Sequence, residues 1–193
     1  MAGIVNVTGG IRTLLACAVA TMLTTTIGSG PALAAEDRLP YRQQARAAGL
    51  TAAQAMQLQA RVDAYLAKAP GVQTAANKIE YSTGAVLLVA LPTEKKARDL
   101  SAAPATTAVS GCPYEWLCLY EDAEYSGDSL MLYYCNQWQA VPWRTYGSWT
   151  NNQTWGTYWA FLDEYGRVGY WYPAYSYMHE GMDWTPIVDA KAC

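Results

Sequence analysis

Cys112-Pro113-Tyr114-Glu115-Trp116-Leu117-Cys118-Leu119-Tyr120-Glu121-Asp122-Ala123-Glu124-Tyr125-Ser126-Gly127 sets two closely spaced cysteines at the head of a β-prone run that ends in a turn. Trp116 to Tyr120 reads as one strand, Ser126-Gly127-Asp128 as a turn, and Ser129 to Tyr134 as the returning strand. Downstream, Tyr158 to Leu162 and Val168 to Tyr172 are again β-prone. Asn151-Asn152 and Glu164-Tyr165-Gly166-Arg167 supply turns between them. Many short strands separated by turns predict an antiparallel sandwich or Greek-key domain over residues 111–193.

The composition of that segment constrains its core. It holds eight Trp, twelve Tyr and one Phe, with few aliphatic residues, so the interior must be built from rings. Eight Trp exceed what so small a core buries, and exposed Trp and Tyr are the usual anchors of an interface. The stretch containing Trp143, Tyr146, Trp149, Asn151, Asn152 and Trp155 includes Pro142 and Gly147, reads as loop, and is the candidate binding surface. The alternative for these rings is to plug the open end of the sandwich.

Cysteine usage points to export. Residues 1–35 run from a short stretch carrying Arg12, through the apolar Leu14 to Met22, to Pro31-Ala32-Leu33-Ala34-Ala35, the layout of a secretory signal peptide. The apolar run is shorter than the roughly 20 residues that a membrane span needs. Its removal would take away Cys17 and leave Cys112, Cys118, Cys135 and Cys193, which in an oxidising compartment read as two disulfides. Three connectivities are open. The spacing favours Cys112 with Cys118, closing a tight loop, and Cys135 with Cys193, tying down the C-terminus. Zinc is not expected, because no Cys-x-x-Cys occurs and His179 is the single histidine.

Upstream, residues 36–100 carry nine Lys and Arg against six Asp and Glu, and 101–110 form a small-residue linker containing Pro104. Thr51 and Gln54 form a capping box for a helix whose apolar stripe is Leu58, Val62, Tyr65 and Leu66, and Pro70-Gly71 stops it. Lys78-Ile79-Glu80-Tyr81 and Val86 to Leu91 then read as a hairpin about Ser82-Thr83-Gly84. This small α+β segment is near the lower size limit for its own core, so it packs on a partner, packs on the second segment, or is a pro-region.

Catalytic constellations are sparse. No Gly-x-Ser-x-Gly or His-Glu-x-x-His occurs, His179 is a lone histidine, and oxidised cysteines are not nucleophiles. Glu121, Asp122, Glu124 and Asp128 cluster on one hairpin and Asp163 and Glu164 on another, where turn acids are usually solvated. Calcium is the one ion these acids leave open, and no cofactor is expected. Residues 111–193 hold three basic against ten acidic side chains, which excludes nucleic acid as an expected partner.

The opening stretch resembles that of the secreted actinobacterial metalloproteinase inhibitors, whose fold is βγ-crystallin-like. Tyr120, Tyr125 and Gly127 match the family's Greek-key signature aromatic-x4-aromatic-x-Gly, and Gly147-Ser148-Trp149-Thr150-Asn151-Asn152-Gln153 resembles its Ser-Trp-x-Asn-Asn segment. The resemblance implies that the first ring packs over the folded hairpin while Gly127 takes a conformation closed to other residues. Two departures stand out: Trp143-Arg144-Thr145-Tyr146-Gly147-Ser148 lacks the paired oxygen ligands of a βγ-type calcium loop, and the second half has no clean signature. The resemblance implies a secreted, non-enzymatic protein that inhibits an extracellular metalloprotease. The alternatives are a polysaccharide or cell-envelope binder stacking sugars on Trp143, Trp149 or Trp155, and a structural βγ-type protein.

Overall fold

A computed structural model describes residues 38–101, 111–169 and 171–193; the expected signal peptide and nearly all of the expected linker lie outside the described residues. Two helices come first among the described residues: α1, Leu39–Ala47, with Pro40 in its first turn, and α2, Ala52–Lys68. At the start of α2 the Thr51 hydroxyl accepts from Gln54 N while the Gln54 side chain accepts from Thr51 N, so two orphan amides are satisfied reciprocally. The helix turns Ala55, Leu58, Gln59 and Val62 inward.

Eleven strands follow: β1 Gly71–Ala75, β2 Lys78–Tyr81, β3 Val86–Leu88, β4 Leu117–Asp122, β5 Ser126–Leu132, β6 Gln139–Ala140, β7 Tyr146–Asn151, β8 Tyr158–Asp163, β9 Tyr172–Pro173, β10 Ser176–Asp183 and β11 Ile187–Lys191. They make a seven-stranded sheet in the order β1-β2-β3-β5-β4-β7-β10 and a four-stranded sheet in the order β6-β11-β8-β9, with all strand pairs antiparallel. The eight strands from β4 onward fall into two sets of four in chain order. The third strand of each set, β6 or β10, pairs in the sheet that holds most of the other set.

Alternation along each strand explains the layering. One row across the large sheet, Gln73, Ile79, Leu87, Leu130, Leu119, Trp149 and Met178, faces inward. Ile79, Leu87, Leu130, Leu119 and Trp149 from this row share one core cluster with Leu58 and Val62 of α2 and with Trp159, Ile187 and Ala190 of the small sheet. The neighbouring row, Val72, Glu80, Val86, Met131, Cys118, Thr150 and Tyr177, faces outward.

Because β3 pairs with β5, a single sheet runs through both segments of the chain. A buried carboxylate reinforces the junction. Asp128, 0% exposed, accepts from Arg61 Nη2 at 2.6 Å, from Tyr65 Oη at 2.6 Å and from Ala90 N at 2.8 Å. Burial, then the adjacent Asp128 charge, pushes the Tyr65 hydroxyl well above its ordinary pKa. Burial and the same neighbour raise Glu121.

The cystines are Cys112–Cys118 and Cys135–Cys193. No described helix is long and apolar enough to cross a membrane.

Candidate functional site

The six residues expected to form one surface are divided between core and solvent. Trp149, at 1% exposure, and Trp143, at 4%, are core residues, and Asn151 is buried. Trp149 lies on the inward row of β7 and meets Trp159 with ring centroids 5.0 Å apart and Tyr172 at 4.7 Å. With so few aliphatic side chains available, these indoles supply the interior volume, which removes two of the three rings expected as sugar platforms. Tyr146 is exposed at 67% but sits at the start of β7, opposite Asp183 of β10.

Trp155 is the most exposed member, at 85%. It stands on a tight turn in which Thr157 donates from both N and Oγ1 to the Thr154 carbonyl and Gly156 takes φ +87°. The base of this turn is tied to both cystines. Asn152 Nδ2 donates to the Cys112 carbonyl at 3.1 Å, and Asn152 exchanges backbone bonds with Glu115 and Trp116. Gln153 Nε2 lies 3.2 Å from Cys193 Sγ, and Cys193 N donates back to Gln153 Oε1. Asn151 Oδ1 accepts from Gln153 N, and its Nδ2 donates to the Tyr172 carbonyl. Asn151 and Asn152 therefore act as scaffold beneath the turn.

Beside the Trp155 turn, Gly156, Thr157, Tyr158, Trp171 and Cys193 border an open depression of ≈ 500 Å³. Tyr158 and Trp171 are exposed there, and Lys191 Nζ lies 5.0 Å from the Trp171 ring centroid. Tyr158 and Trp171 lie outside the stretch the sequence singled out, and Gln153 lies within it but was not among its expected surface residues. Gly156, a turn residue directly after a Trp, was the available local signal for the projecting ring.

Tyr120, Tyr125 and Gly127, the residues matched to the expected signature, lie on a separate hairpin. Tyr120 and Tyr125 meet edge to face at 5.5 Å, and Gly127 has φ +73°. Ser148 Oγ donates to the Asp122 carbonyl and accepts from Tyr125 N, while Thr145 Oγ1 donates to the Glu121 carbonyl. The Thr145 and Ser148 hydroxyls thus bind the hairpin backbone. Gly147 makes that contact possible: a Cβ there would fall 2.2 Å from Tyr120 O and 2.3 Å from Trp184 Nε1.

The acids are dispersed. Asp128 and Glu121 belong to the junction, and Asp163 closes its own turn by accepting from Tyr165 N, Arg167 N and Arg167 Nε. Among the described residues, Glu124, His179 and Glu180 bring one donor atom each within 4.8 Å of one another, all on exposed side chains.

Comparisons with protein-family models, with curated proteins and with solved structures found no match to this chain.

Proposed function

We propose that this chain is a secreted, non-enzymatic binding protein that acts as a peptidase inhibitor, seating the Trp155 turn in the cleft of an extracellular metalloprotease. The observation that carries the proposal is the turn itself, which projects a largely exposed indole from a base bonded to both cystines. A loop held in this way has little conformational entropy left to lose on association, so more of the contact energy goes into affinity. Exposed Tyr158 and Trp171 widen the patch with ring types enriched in interface anchors. Ten acids against three bases in residues 111–193 favour encounter with a basic surface.

The finer fold reading belongs to the same proposal. Exchange of the third strand between two four-strand sets supports a pair of interlocked Greek keys of the βγ-crystallin kind. The folded hairpin at Tyr120, Tyr125 and Gly127 supports it locally.

A dose-dependent loss of thermolysin-like activity on adding the oxidised protein is the expected result. No effect on a panel of metallo- and serine proteases would remove the proposal.

A further inference from the structure

We infer a second ligand site on the outward face of the large sheet, a cleft at the junction of the two chain segments that takes a β-linked pyranose oligosaccharide. The cleft has a volume of ≈ 390 Å³ and is bordered by Glu80, Gly84 and Val86 of the first segment and by Trp116, Tyr133 and Tyr134 of the second. That size falls within the roughly 300–1,000 Å³ common for small-molecule sites.

The three rings are held in place. Trp116 and Tyr133 meet at 5.1 Å, and Tyr133 and Tyr134 meet edge to face at 5.3 Å. The Tyr133 hydroxyl lies 3.3 Å from Glu115 Oε2. Tyr134 lies directly against Gly84, where φ is +79° and a Cβ would fall 2.0 Å from the ring. Tyr134 is nevertheless 58% exposed, so part of a ring braced from behind is open to solvent. Beyond the rings, Glu80 uses Oε1 for Lys78 and Thr74, leaving Oε2 without a protein hydrogen bond among the described residues.

This chemistry selects among ligands. A β-linked pyranose of gluco configuration carries its hydroxyls around the ring edge and its C–H bonds on the two faces, so one face can lie on a tyrosine while edge hydroxyls donate to a carboxylate. Glu80 at the rim, and Glu115 against the Tyr133 hydroxyl, oppose phosphates and other anions. An apolar peptide would meet a single aliphatic side chain, Val86. The site does not include Trp155, so it stands or falls separately from the inhibitor proposal.

The test is calorimetric titration of the oxidised full chain with chitohexaose, with cellohexaose and with a proline-rich decapeptide. One of the two sugars binds with Kd on the order of 1 mM or below. Tyr134→Ala and the conservative Glu80→Gln each weaken it about fivefold or more, with native circular dichroism and melting retained. Trp155→Ala leaves sugar affinity unchanged while lowering protease inhibition. Failure of both sugars to bind, sugar affinity indifferent to both cleft variants, or binding of the peptide alone would overturn the inference.

Discussion

Trp155 combines maximal exposure with a fixed base, and these two properties separate its roles in binding and in stability. Its ring contributes little to the core, so Trp155→Ala should change unfolding free energy by less than about 0.5 kcal/mol. If the indole anchors a protease, inhibition should weaken about tenfold or more, read as the inhibition constant against a thermolysin-like enzyme. Glu121 makes a different prediction. Burial and the nearby Asp128 charge raise its pKa above its ordinary 4.5. The folded protein therefore holds this proton more tightly than the unfolded chain does. Its contribution is most favourable below that ordinary value and declines as pH rises through the raised one. Urea unfolding across a pH series should show Glu121→Gln gaining on the wild type between mildly acid and neutral pH. A difference that does not vary with pH would refute the assigned cause.

Helix α2 is joined to the sheet through Asp128 as well as through its apolar stripe. Asp128→Ala leaves the Arg61 guanidinium, the Tyr65 hydroxyl and the Ala90 amide without their shared acceptor. Because the Arg61 side chain is 35% exposed, the cost is set by the hydrogen bonds left unmade and should be about 1–3 kcal/mol, and hydrogen exchange should show protection lost across α2 and β3 together. The cystines differ in the length of chain they close, with separations of 6 residues for Cys112–Cys118 and 58 for Cys135–Cys193. Loop entropy assigns about 2 kcal/mol to the short loop and about 4 kcal/mol to the long one. Cys135→Ser with Cys193→Ser should therefore lower the melting temperature more than the corresponding pair at 112 and 118. The long cystine also holds Cys193 beside Gln153, so its removal should weaken inhibition as well.

Joining β3 to β5 makes residues 38–101 part of the same sheet and core as the rest of the described chain. Removing them would expose the β5 edge and apolar residues such as Leu130 and Leu119, an arrangement prone to edge-to-edge association. A chain beginning at Gly111 should elute as aggregate in size-exclusion chromatography and lack a cooperative melt. A monomeric, cooperatively melting fragment would show instead that the first segment is dispensable for folding.

Local chemistry made several features legible before any tertiary contact was known. The capping box at Thr51 and Gln54 and the favoured cystine pairing depend on short-range geometry, which residue type and spacing encode. The β4–β5 hairpin was legible too, but it turns at Ala123-Glu124-Tyr125, and the expected turn Ser126-Gly127-Asp128 is the first part of β5. Helix α1 and strand β1 carried weaker signals. Pro70-Gly71 marks the end of α2, but nothing local announces that the next residues pair with β2. The fate of the aromatic rings lay beyond local reasoning altogether. Trp143, Trp149 and Trp155 share one side-chain chemistry and one stretch of chain, yet two fill the core and one projects into solvent. A ring is buried or displayed according to the strand face it occupies and the sheet packed opposite, and both are set by pairings between residues distant in sequence. The same long-range pairing brings Glu80 alongside Trp116 and Tyr133, so the cleft they border arises only when the two segments share a sheet.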